Sequence, residues 1–293
     1  MYTSVQKHRA LSTRQTLCSA PIAPRYLEIG NGFTALNFKL ASFDELMDPL
    51  IMVDHFRMSK PTFGAHGHAG ISAVSVLFED SEGAFNNRDS LGNNIDLKPG
   101  DLYWLKAGKG AMHDEKPLPG ARTHGLQMFV NLPASRKHEA PEAVHVKAGA
   151  MPIIKSATHR VRVVLGESNG VRGATSPALP LSILDAELPA GGLYTHLLPA
   201  GQSAWIHPIK GDATIRLGGE SVALGGKEAL VIQAGRNGAR VTLASDDRAQ
   251  LALIAGAPIG ETFIQRGPFA MANEADLDAV EAAYQRGEFG SIG

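Results

Sequence analysis

Two short segments, Ala65-His66-Gly67-His68 and Met112-His113-Asp114-Glu115, each set two metal-competent side chains two residues apart. On a helix, positions i and i+2 diverge by roughly 200°, whereas on a strand they project from one face. Each pair therefore reads as a two-toothed clamp on a β-strand. Two such strands facing each other across a barrel would aim His66, His68, His113 and Glu115 at a single point. Neutral imidazole nitrogens suit Fe, Zn, Cu, Ni and Mn, and one carboxylate favours the harder divalent ions. Four protein ligands on an octahedral ion leave about two open positions, which makes a site catalytic rather than structural. The chain has 11 histidines, so a lone His-x-His would carry little, and the later His-x-Glu is what gives the pattern weight. No thiolate stands nearby, since the single cysteine is Cys18, and an iron–sulfur or zinc-finger site is excluded.

Strands are what the rest of the chain offers. Glycine (32) and proline (17) punctuate it at short intervals, and between them lie runs of strand length such as Ala73–Phe78, Asp101–Leu105, Leu126–Val130, Ala213–Leu217, Ala229–Ile232 and Leu251–Ile254. Many short strands between Gly, Pro, Asn and Asp turns predict an all-β sandwich or barrel rather than alternating βα units. Residues 40–135 and 180–257 repeat one plan of strands, a glycine turn, a turn ending in Gly-Asp, and further strands. The reading is two β-barrels in tandem, residues 1–135 carrying the clamps, 136–180 a connector with one or two linking strands, and 181–293 the second barrel. A short helix should follow Asn273, a good N-cap with Glu274, Asp276 and Asp278 behind it and Gly287 as a stop.

Composition closes off other functions. Lys and Arg number 28 against 29 Asp and Glu, a formal net charge of −1, without the basic excess that phosphate-backbone binding needs, so direct nucleic-acid binding is disfavoured. No apolar run approaches a membrane span. One cysteine cannot form an internal disulfide, and residues 1–18 mix Lys7, His8, Arg9 and Arg14 with polar residues and no apolar h-region. A cytoplasmic protein is expected.

Several segments resemble the pirin family. They include Asp54-His55-Phe56, His66-Gly67-His68, Asn87–Asn93, Pro99-Gly100-Asp101, Ala107–Glu115, Thr123–Pro133, Ala255–Glu261 and Arg266–Met271. The likeness covers residues 45 to 290. It implies a bicupin, two tandem cupin barrels with a short C-terminal helix. It also implies that the first barrel binds iron, as Fe(II), through His66, His68, His113 and Glu115, with Mn, Ni, Cu or Zn as alternatives. By the same likeness the second barrel lacks a metal, leaving His196 and His207 structural. The activity implied is quercetin 2,3-dioxygenase on flavonols or related phenolics with O2, with Glu115 as ligand and candidate catalytic base. The alternative is an iron-dependent redox sensor that binds a transcription factor or metabolic enzyme. Where family members carry Arg and a Gly-aromatic-Glu run after the second histidine, this chain has Ala69, Gly70, Ile71 and Ser72. A wider or less polar pocket follows. Phe63 is placed at the pocket rim or in the core and Trp104 in the core. Lys106 and Lys109 read as solvated loop charges, Asp114 as pointing outward, and His124 and Gln127 as packing or hydrogen-bonding residues behind the clamps.

Overall fold

A computed structural model describes residues 15–293. The reading of the leader falls mostly on residues 1–14, which lie outside the described residues. The two expected barrels are present. In the first, a seven-stranded antiparallel sheet has the order Glu142–Val146, Leu102–Lys106, Ile71–Leu77, Thr123–Asn131, Leu50–Met58, Phe33–Lys39, Arg25–Ile29. A four-stranded sheet accompanies it, ordered His66–His68, Ala111–Pro117, Phe85–Asp89, Asn94–Leu97. The second repeats this plan, with seven strands ordered Leu17–Cys18, Leu230–Gln233, Ser203–Lys210, Ala249–Gly256, Leu181–Leu188, Arg160–Leu165, Ile153–Lys155. Its four-stranded partner sheet is Leu193–Leu198, Ala239–Ala244, Ala213–Leu217, Glu220–Leu224. Residues 136–180 divide between the barrels: Glu142–Val146 extends the first large sheet, while Ile153–Lys155 and Arg160–Leu165 extend the second. Among the described residues, no helix is long and apolar enough to cross a membrane.

Central strands of the large sheets, such as Ile71–Leu77 and Ala249–Gly256, are buried on both faces and mostly apolar. On Leu50–Met58, Met52, Asp54, Phe56 and Met58 line a cavity inside the first barrel. Val53 between them joins a core shared with the second barrel, which includes Phe38, Leu126, Met128, Trp205, Val231 and Ile254. Successive strand residues point to opposite sides, so one strand serves two cores. Interior packing of the second barrel is built from Leu184, Ile206, Ile215, Leu243, Leu251 and Leu253.

Polar residues cross the inter-barrel seam in a line. His207 Nδ1 is 2.7 Å from the Glu228 carbonyl, and its Nε2 is 2.9 Å from His55 Nδ1. His55 Nε2 lies 2.7 Å from His124 Nε2, whose Nδ1 is 2.7 Å from Asp80 Oδ1. Lys210 pairs with the other Asp80 oxygen at 2.8 Å. Phe38, Phe78 and Trp205 ring this chain of imidazoles. Burial pulls the imidazole of His55 down to about 2 and that of His207 down to about 4. Both are neutral in the folded protein at physiological pH.

The helix forms where expected, at Glu274–Gln285, with the Asn273 side chain accepting from the Asp276 amide and Gly287 following at φ 73°. It packs on the first barrel, not the second: Phe269, Leu277, Val280, Tyr284 and Phe289 cluster with Ala69 and Met112. Lys137, buried in the same region, donates to the Gly70 carbonyl (2.8 Å), Asn131 Oδ1 (2.6 Å) and the Ala270 carbonyl (2.8 Å). It ties the first barrel to the C-terminal segment.

Candidate metal centre

The strand His66–His68 pairs antiparallel with Ala111–Pro117, placing His113 opposite His66 and Ala111 opposite His68. Both histidines of the first pair project inward, while Gly67 between them faces Tyr284 and Phe289. A Cβ there would sit 2.8 Å from both rings, so glycine is what lets the C-terminal segment close against the strand. His68 and His113 are almost wholly buried.

His66, His68 and His113 converge. Each offers a ring nitrogen within 4.8 Å of the other two, and they are the one such group of three or more donors among the described residues. His113 Nε2 lies 2.8 Å from His68 Nε2 and 3.0 Å from His66 Nε2. His66 Nδ1 is 2.9 Å from the Gly64 carbonyl, which fixes that nitrogen as the donor and leaves the Nε2 lone pair directed at the cluster. The Pro268 carbonyl, 3.4 Å from His68 Nδ1, favours the same tautomer. Burial, followed by the neighbouring imidazoles, pushes His68 down to about 3 and His113 well below the ordinary histidine range. His68 and His113 are therefore presented as neutral bases.

That arrangement suits a cation better than a hydrogen-bond network. An sp² ring nitrogen either holds one proton or offers one lone pair, so His113 Nε2 can satisfy only one of its two close neighbours. A divalent ion between the three lone pairs removes the conflict, and the all-imidazole set matches the intermediate first-row metals.

Glu115 opens onto the same cavity but is not part of the three-nitrogen cluster. Its Oε2 is 3.9 Å from His113 Nδ1, and its Oε1 accepts a 2.5 Å hydrogen bond from Ser75 Oγ. Burial raises its carboxyl to about 7, against the lowering pull of the Ser75 bond. Of the four sequence-assigned ligands, three are brought together and the fourth stands at the wall beside them.

The cavity holds about 300 Å³ and is mostly apolar, lined by Phe33, Phe56, Phe63, Phe85 and Phe129 among others. Phe63 sits at its rim, 40% exposed and edge-on to Phe33 at 5.0 Å. Gln127 reaches into the cavity, whereas His124 on the same strand turns to the inter-barrel seam. Two expectations need correction. Lys106 is not solvated: it is 5% exposed and lies 3.2 Å from both Glu139 and Glu142, because the strand Glu142–Val146 covers the sheet edge there. Asp114 does turn away from the clamp, yet it is buried, paired with Arg88 at 2.6 Å and Lys116 at 3.3 Å. The residues that spacing did not reveal are Asn37, Asp54 and Ser75, whose partners lie on strands distant in sequence.

Comparison with known proteins agrees with this architecture. Residues 35–130 match the domain family described as Pirin, and residues 183–290 match the Pirin C-terminal cupin domain. The chain is 32% identical to human Pirin over 226 residues, 77% of each protein. Among solved structures, a quercetin 2,3-dioxygenase from Acinetobacter baumannii superimposes with a TM-score of 0.81 at 25% identity, covering 95% of this chain and 99% of its own. A bacterial pirin from Escherichia coli in complex with nickel(II) gives a TM-score of 0.59 at 16% identity, over 83% of this chain and all of that one, which is a likeness of fold.

Proposed function

This chain belongs to the pirin family, and on that premise we propose that it is a metal-dependent dioxygenase of the quercetin 2,3-dioxygenase type. It would act in the cytoplasm on flavonols or related phenolics, loaded with iron(II). The observation that carries the reading is the convergence of three imidazoles on one wall of a mostly apolar cavity rich in phenylalanine and methionine. The quercetin dioxygenase of like fold supports the substrate class.

His66, His68 and His113 would hold the ion, with Glu115 as fourth ligand. When bound, the ion supplies Lewis acidity toward a coordinated substrate oxygen. The apolar walls take the aromatic rings and keep bulk water from the reacting atoms. Glu115, steadied by Ser75, stands where it can accept the proton of the substrate hydroxyl. Overall, one flavonol and one O2 give the ring-opened ester acid and one carbon monoxide.

The test is elemental analysis of anaerobically purified protein followed by an O2-electrode screen of flavonols. Substitutions His66→Ala and Glu115→Ala should abolish most metal binding and leave the circular dichroism spectrum unchanged. Metal content near wild type in both variants overturns the site. Full iron loading with no O2 uptake on any flavonol overturns the enzyme and turns attention to the redox-sensing alternative.

A further inference from the structure

One row of the first barrel's large sheet is polar within a mostly apolar cavity wall. Cross-strand registers place Asn37 opposite Asp54, Asp54 opposite Gln127, and Gln127 opposite Ser75, on four neighbouring strands. Neighbouring strands lie about 4.8 Å apart, and directly paired residues share a face, so these side chains stand side by side. Asn37 Nδ2 donates to Asp54 Oδ1 at 2.6 Å. Ser75 Oγ lies 2.6 Å from the Gln127 side-chain amide and 2.5 Å from Glu115 Oε1. A hydroxyl has one proton. That proton faces two acceptors, Glu115 Oε1 and Gln127 Oε1, and the Gln127 NH2 group takes no part in either contact.

Two polar groups remain, an acceptor on Asp54 and a donor on Gln127. Among the described residues no group bonds the second carboxylate oxygen of Asp54, and none bonds the remaining amide atom of Gln127. Both residues line the same cavity as the three histidines. Burial raises the Asp54 carboxyl to about 6, while Asn37 and then the charge of Lys39 draw it back. Such an acceptor inside an aromatic pocket calls for a hydroxyl donor on the ligand.

We infer that Asp54 and Gln127 form a hydroxyl-recognising rail across the cavity floor, selecting polyhydroxylated aromatic ligands over those with a single hydroxyl. The inference rests on the reading of this cavity as a phenolic site and names the groups that discriminate within that class. Asp54 anchors ring hydroxyls other than the one directed at the histidines, and Asn37 holds its carboxylate in place. A ligand lacking those hydroxyls leaves the rail unpaired and binds more weakly.

Anaerobic titration of the metal-loaded protein with quercetin and with 3-hydroxyflavone, followed by flavonol absorbance, tests this without turnover. Wild type should bind quercetin about 10–100-fold more tightly, the range of a hydrogen bond to a charged group. Asp54→Leu should erase that preference and leave the 3-hydroxyflavone Kd within about twofold, while Asp54→Asn, which keeps an acceptor oxygen, should restore part of it. Gln127→Leu should lose part of the preference and guards against a folding defect in the first variant. An undiminished quercetin preference in Asp54→Leu and Gln127→Leu overturns the rail and leaves flavonol binding standing. Parallel titrations with catechol and phenol separate the other failure. Asp54-dependent catechol binding without flavonol binding overturns the flavonol reading alone, and no binding of either class overturns both.

Discussion

Acid should loosen this protein at the seam between its barrels, and His207 allows the size of the effect to be worked out. An ordinary histidine titrates near 6.5, whereas burial holds His207 down at about 4 in the fold. A depressed histidine favours the folded state above its unfolded value and loses that advantage as pH falls toward the folded value. At about pH 5 the unfolded imidazole is nearly all protonated and the folded one about a tenth so. Linkage then gives a loss of about 2 kcal/mol between pH 7 and pH 5 from this residue. The variant His207→Gln lacks the titrating group and should lose that much less over the same interval. Urea unfolding of both proteins at the two pH values reads the difference directly, since His68 and His113 titrate in each and cancel. His55, pulled down further still, adds to the slope of both. Parallel stability curves for wild type and variant across this interval would show that His207 is not held neutral by burial.

Two further outcomes concern the join between the first barrel and the C-terminal segment. Lys137→Met leaves the Gly70 carbonyl, Asn131 Oδ1 and the Ala270 carbonyl without their shared donor, and should cost about 2–4 kcal/mol in urea unfolding. A change below about 0.5 kcal/mol would mean that water replaces the ammonium at no cost. Gly70→Ala places a methyl carbon 1.9 Å from the Ala270 carbonyl oxygen at a φ of +72°, so a loss of about 3 kcal/mol or more is expected, visible as a lowered Tm.

The candidate metal site was legible because its signal is local. His66 with His68, and His113 with Glu115, sit two apart, and strand geometry alone puts each pair on one side. What joins the pairs to their surroundings is not local. Ser75 meets Glu115 across 40 residues, and His55 meets His207 across 152, through strand registers that no short window of sequence reveals. Burial on both faces of the large sheets also erased the alternation that would have shown which residues face the cavity. Asp54 and His55 are adjacent, yet one enters the cavity and the other the seam. Lys106 and Asp114 illustrate the converse: turning away from the clamps does not mean meeting water when another strand or Arg88 lies outside. The helix was readable from its cap, but the barrel it packs on was not.

The path of the C-terminal segment has a consequence for the order in which the molecule is made. A ribosome releases His66, His68 and His113 long before it reaches Pro268, Tyr284 and Phe289, which back the same strand. The three donors and the segment that closes behind them are thus separated in time by the direction of translation. On the proposed reading of these histidines as metal ligands, the ion they take would be set by what is available when that wall closes as well as by their intrinsic preference.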